Sequence, residues 1–311
     1  KLGFQLKLGL RPRQESCWLP RENPFGNDTE RDEQIRQKQH LFAHNHDDIF
    51  AAFPSASTAS AEMLQMVCDH ITSHHHAPLP DIDHTQHPLE AAARLVPEDL
   101  LLLAPRRQNN SDDASWHLEA AALAFPAHWV LAEKMGQPMQ MIHQPVPHYD
   151  ERLTRPVDRF FTAMKIGPIS SRMNWSLQIG RDLFSPRRVS RKAAANNDDF
   201  HQLFLRVENQ TLRKLPDTGY IVFTIRTHML PMTLWQDDRD ALQSMADMMQ
   251  NMSPATRLYK GVPLYEPLVR RALARLDPAR TRVAEQQLCC ITISGHARHL
   301  GKLRQATEAV Q

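Results

Sequence analysis

One histidine of this chain sits among unusually stiff neighbours. In the run MQMIHQPVPHYDERL (139–153), His143 follows the mostly apolar segment Met139–Ile142 and precedes Pro145 and Pro147. Those prolines fix φ and remove two backbone donors, so the chain after His143 neither continues a helix nor enters a sheet interior. A side chain aimed this firmly suits a metal or haem iron, which needs a fixed orientation of its ligand. The plainer alternative is a buried imidazole bonded to a backbone carbonyl. The apolar residues ahead of His143 read as strand-like.

Three further segments carry polar side chains at alternate positions. In LFLRVENQTL (203–212), Phe204, Arg206, Glu208 and Gln210 share one face, and Leu203, Leu205 and Val207 the other. In YIVFTIRTHM (220–229), Arg226 lies with Val222, Thr224 and His228. If a hairpin pairs these strands, Arg206, Glu208 and Arg226 could converge on one side. Glu208 would then receive a cationic group or a proton, and Arg226 would donate to an anion or a bound oxygen. The alternative is a cross-strand salt bridge on a solvated face. SSRMNWSLQI (170–179) adds Arg172 and Asn174, alternating with Met173 and Trp175. Trp175 reads as core, and Asn174 as either a bonded strand residue or a ligand contact. In FPAHWVLAEKMGQP (125–138), Trp129, Glu133 and Lys134 lie near a helix-to-turn transition, with structural pairing the expectation for the two charges.

These segments need a frame. Helical signals begin near Arg31 and run into LFAHNHDDIFAAF (41–53). A second helix, AEMLQMVCDHITS (61–73), could be capped by Thr58 or Ser60. After a loop over 74–88, LEAAARLVPEDLLLL (89–103) reads as helix interrupted at Pro97. From Ser115 the period changes, and WHLEAAALAF, MQMIHQPV, RMNWSLQI, QLFLRVENQTL and GYIVFTIRTHML read as strands, about five in all. The connection RKLPDTG makes the last two an antiparallel hairpin. Helices resume in DDRDALQSMADMMQNM and PLVRRALARL, where Met245, Met248 and Met249 read as core packing. The expected class is α+β, an antiparallel sheet wrapped by N- and C-terminal helices. Residues 1–280 read as one domain and 281–311 as a tail or an extra helix.

Composition narrows the function classes. The 311 residues are 41% hydrophobic and 23% charged, enough for a substantial core, and the net charge of +2 argues against a polyanion binder. The basic cluster Arg187, Arg188, Arg191 and Lys192 reads as a solvated loop. No apolar run is long enough to span a membrane. The four cysteines form no C-x-x-C, so a zinc knuckle, a redox pair and a covalent c-type haem are unsupported, and a reducing, cytoplasmic compartment is expected. His40, His44 and His46 have helical metal-ligand spacing, and His74, His75 and His76 adjoin a Pro-rich loop. Without an H-E-x-x-H, structural or surface roles are expected for both groups. Only 10 glycines and no phosphate-cradling loop argue against a nucleotide-sugar transferase.

Several blocks together carry a resemblance. LGLRP, Trp18, VPEDLLLL, AFPAHWVLAEKMGQP, IHQPVPHYDERL, SRMNWSLQI, LFLRVENQTLRKLPDTGYIVFTIRTHMLPM and YKG (259–261) follow one another in the order and spacing of the haem-dependent oxidative N-demethylase-like family, over roughly residues 4–275. The resemblance implies a PAS-like sheet holding one b-type haem. It also implies dioxygen as cosubstrate and electrons from NADPH through a separate flavin and iron–sulfur reductase, spent on removing a methyl group from a small amine. Carried over by position, His143 is the iron ligand and Glu208 and Arg226 are pocket residues at the open iron site. Arg206, Asn174 and Trp175 stand as further cofactor contacts. No cysteine occupies a P450-like ligand loop, in keeping with histidine ligation. The polar insert SPRRVSRKAAANNDDFH (185–201) and the histidine-rich 74–87 segment depart from the family pattern and point to a larger amine or an amino-acid-derived substrate. His228, two residues after Arg226, could add a second imidazole. A haem-binding sensor or carrier without catalysis is the competing function, and no nucleic-acid partner is implied.

Overall fold

Alternation in the second half of the chain builds the centre of the molecule. The computed structural model describes residues 9–25, 29–107, 114–147, 149, 154–187 and 200–276. Seven strands form one antiparallel sheet: β1 (Arg11–Arg13), β2 (Phe50–Ala52), β3 (Asp99–Arg107), β4 (Ala114–Ala122), β5 (Ile169–Ile179), β6 (Leu203–Lys214) and β7 (Ile221–Pro231). Their order across the sheet is β1-β5-β6-β7-β3-β4-β2. β5, β6 and β7 lie where the alternation puts them, and the β6–β7 hairpin closes through Leu215 N–H donating to Tyr220 O at 2.8 Å.

Both faces of the sheet are covered, by different parts of the chain. One face carries the N-terminal helices α1 (Glu30–His44), α2 (Ser57–His70) and α3 (Pro88–Leu95), whose Met63, Val67 and Leu89 meet Leu100, Leu102 and Val222. On the same face, the β5–β6 end carries the C-terminal helices. The longer two are α5 (Arg239–Gln250) and α7 (Val262–Arg275), with the short α6 (Pro254–Tyr259) between them. Met245 and Met249 pack here against Trp175, Leu203 and Val207, as the methionine spacing suggests, with Met248 partly buried beside them. The opposite face is covered by α4 (Thr154–Ala163) and the chain between β4 and α4, where Tyr149, Val157 and Phe161 meet Leu101, Leu212, Ile221 and Ile225. Helices around an antiparallel sheet confirm the α+β class.

Three local readings are corrected. LEAAARLVPEDLLLL is helix only to Leu95, and its second half is β3. Leu100 and Leu102 are buried on one face and Leu101 and Leu103 on the other, so this doubly covered strand shows no alternation and resembles an apolar helix. Met139–Ile142 is a single helical turn rather than a strand, entered from Pro138 and ended at His143. Helix α2 starts at Ser57 after Ala56, so Thr58 and Ser60 lie inside it and neither caps it. The tail 281–311 and most of the basic cluster lie outside the described residues. Cys17 and Cys68 are free thiols, and no helix among the described residues is long and apolar enough to cross a membrane.

Candidate functional site

The site grows from the face covered by α4. His143 follows the Met139–Ile142 turn, and its Nδ1 lies 3.0 Å from Met139 O. A carbonyl only accepts, so Nδ1 carries the proton and Nε2 presents a lone pair. Burial holds the imidazole pKa down to about 4, opposed by that carbonyl bond and assisted by the nearby cations Arg172 and Lys134. The ring is therefore neutral at pH 7. It stacks on Tyr149, with centroids 4.6 Å apart and planes within 9°. The residue is half-buried.

Beside it lies the polar end of the sheet. The β5–β6 register pairs Arg172 with Gln210, Asn174 with Glu208 and Ser176 with Arg206, which sets these six side chains on one face. Glu208 is buried and heavily supported: Oε2 accepts from Asn174 Nδ2 at 3.2 Å and Gln210 Nε2 at 3.0 Å, and Oε1 faces Arg206 Nε at 3.4 Å. Arg206 is itself tied to the scaffold, donating to Phe125 O at 2.5 Å and Leu183 O at 3.2 Å. Arg206 thus acts as a post for the carboxylate. Arg172 has no hydrogen-bond or ion-pair partner among the described residues; burial lowers its pKa, while Glu208, Tyr259 and Tyr149 pull the other way.

Lys260 completes the arrangement from the C-terminal helices. Its Nζ donates to Trp175 O at 2.7 Å and Asn174 Oδ1 at 3.3 Å, and lies 4.9 Å from the centre of the Trp175 ring. Accepting from Lys260 through its oxygen, Asn174 must turn its amide nitrogen towards Glu208. Burial draws the lysine pKa down to about 8, with Glu208 resisting the shift. Gly261, at φ 68°, lets the chain turn from α6 into α7 here, and a Cβ at that position would sit 2.9 Å from Tyr265 Cε2. This explains why glycine follows the lysine.

The sequence-chosen residues do not all meet. His143, Asn174, Arg206 and Glu208 lie on the α4-covered face. Arg226 does not join them, because the register sets it opposite Asn209 while Thr227 stands opposite Glu208. Arg226 is buried beneath the N-terminal helices with Nη2 3.9 Å from Glu30 Oε2, near Glu98. His228 shares that face, its Nδ1 2.7 Å from Glu30 Oε2, away from His143. Trp175 packs in the core under α5 and α7 and meets the polar group only through Lys260. Three contributors were not assigned roles from sequence: Tyr149, Lys260, and Arg172 as a neighbour of His143. The signal for Lys260 was present in the YKG block, and that for Arg172 in its parity with Asn174. Among the histidine groups elsewhere, His46 bonds Glu90 at 2.9 Å and His75 Nε2 lies 2.6 Å from Leu19 O, and among the described residues there is no group of three or more His, Cys, Asp or Glu with metal-binding geometry.

Residues 70–270, about two thirds of the chain, match the family described as haem-dependent oxidative N-demethylase, alpha subunit-like. The chain belongs to this family. Membership in the haem-dependent N-demethylase-like family gives the neutral imidazole a context. Haem iron takes an imidazole nitrogen, and histidine ligands commonly donate their other N–H to a carbonyl, which is the arrangement His143 has with Met139. The donor set therefore fits the group that the family name implies.

Proposed function

We propose that this chain is a haem-dependent monooxygenase that oxidises the C–H bond next to an amine nitrogen. Dioxygen is the cosubstrate, and electrons come from NADPH through a separate flavin and iron–sulfur reductase. The observation that carries the reading is a neutral imidazole with an unspent Nε2 on the same sheet face as a buried, multiply hydrogen-bonded carboxylate. When bound, the haem supplies the oxygen chemistry.

The protein's own residues do the rest. His143 would hold the iron through Nε2, with Met139 O fixing its tautomer and Tyr149 its plane. Glu208 binds the alkylammonium and accepts its proton, freeing the nitrogen lone pair that makes the adjacent C–H bond oxidisable. Asn174, Gln210 and Arg206 hold the carboxylate in place, so its orientation needs no reorganisation on binding. Overall, an N-methyl group and dioxygen, with two electrons and two protons, yield the demethylated amine, formaldehyde and water.

Turnover is the test. Haem-loaded protein, supplied with electrons and dioxygen and offered N-methylated amines and N-methyl amino acids, is expected to release formaldehyde and the demethylated amine in equal amounts. Haem-loaded protein that binds dioxygen yet consumes none of these amines would fit a sensor or carrier instead.

A further inference from the structure

An ammonium group only donates hydrogen bonds, and this gives the polar end of the sheet a fixed direction. Lys260 stands at the junction of α6 and α7, beside Gly261 at φ 68°. Its Nζ is anchored on Trp175 O at 2.7 Å and reaches Asn174 Oδ1 at 3.3 Å. The Asn174 amide has one accepting end and one donating end. With Oδ1 turned to Lys260, Nδ2 is the end that meets Glu208 Oε2, at 3.2 Å. The β5–β6 register sets Asn174 directly opposite Glu208, so the link passes straight from one strand to the next. A reversed amide would point its oxygen at a carboxylate and its NH2 at an ammonium, two unfavourable contacts at once. The chain of bonds therefore runs one way, from Lys260 through Asn174 to Glu208.

We infer that Lys260 is a positioning residue for the substrate: by holding Asn174 in one orientation, it keeps Glu208 presented as the receptor for an alkylammonium. This rests on the reading of Glu208 given above and extends it to a residue that acts through Asn174. The competing account is a scaffold role alone, because Lys260 also satisfies Trp175 O.

The test is calorimetric titration of the haem-loaded protein with dimethylammonium chloride, for wild type, K260M, K260R, N174L, K260M/N174L and E208Q. Thermal unfolding is recorded for each. K260M is expected to weaken binding about tenfold, since one of the donors that support the carboxylate loses its anchor. K260R can donate to both Trp175 O and Asn174 Oδ1, and should bind within about threefold of wild type. N174L leaves Lys260 on Trp175 O and should lose as much affinity as K260M, with the double variant losing no more than N174L alone. Wild-type affinity in K260M or N174L, or additive losses in the double variant, would overturn the positioning role and leave Glu208 as the receptor. A lower Tm with unchanged affinity would likewise reduce Lys260 to scaffold. Wild type and E208Q binding the ammonium equally would remove the Glu208 reading and the proposal with it. Should K260M fail to fold, N174L reads the same link from its other end, and its unchanged affinity would overturn the proposal.

Discussion

Replacing Glu208 with glutamine isolates charge from shape. The carboxylate receives Asn174 and Gln210 on Oε2 and faces Arg206 on Oε1. A glutamine can place its carbonyl oxygen where Oε2 was and keep both amide donors, so only its NH2 meets Arg206 unfavourably. At 3.4 Å that contact is long, and Arg206 keeps Phe125 O and Leu183 O. The stability change is therefore expected to be small, about 1 kcal/mol. What disappears is the counter-charge for a bound alkylammonium. A hydrogen bond to a charged group contributes about 1.5–3 kcal/mol, equivalent to roughly ten- to hundredfold in kcat/KM. The assay is formaldehyde release from an N-methylated amine by E208Q and wild-type protein, with haem content equalised by absorbance. An unchanged Soret band with kcat/KM reduced by that factor supports the assignment. Wild-type turnover in E208Q would refute it, and loss of haem would show that Glu208 serves the cofactor.

Arg206→Met should destabilise the protein by about 3–5 kcal/mol, since it leaves two carbonyls and one side of Glu208 buried without a donor; a loss below about 1 kcal/mol in denaturant unfolding would show that the post is dispensable. Gly261→Ala should cost about 1–2 kcal/mol for its left-handed φ, plus the Tyr265 contact, and lower Tm measurably; an unchanged Tm would contradict the close approach. His70 is buried against Trp18, and burial draws its pKa down to about 4. Its folded pKa lies below the unfolded value, so the unfolded chain takes up the proton first as pH falls, and stability declines from about pH 6.5 towards pH 4. His70→Phe should remove that decline, gaining about 2 kcal/mol relative to wild type at pH 5 compared with pH 8. A difference that does not vary with pH would count against it.

The strands bearing the site, β5 and β6, were legible because apolar side chains alternate with polar ones along them. Leucines covered on both sides hid β3, and the four residues before His143, three of them apolar, are too few to show the period of a helical turn. The separation of Arg226 from Glu208 depends on the connection between β6 and β7. Six residues, Leu215–Tyr220, lie between the paired Lys214 and Ile221, so an even-numbered residue of one strand faces an odd-numbered residue of the other. Glu208 and Arg226 are both even, and so they point to opposite faces. The turn's length was visible in RKLPDTG, but its end residues were not. Lys260 arrives from a helix junction far along the chain, a placement that only tertiary packing determines.

The central claim, that His143 offers iron a neutral Nε2, is tested most directly by absorption spectra of the purified protein and of H143A. Each is recorded oxidised, reduced with dithionite and then exposed to carbon monoxide. The wild type should show a Soret band that shifts on carbon monoxide binding to the position of a histidine-ligated haem, and H143A should lose haem or change that spectrum. A wild-type protein that stays colourless with added haemin, or an H143A spectrum identical to the wild type, would contradict the account.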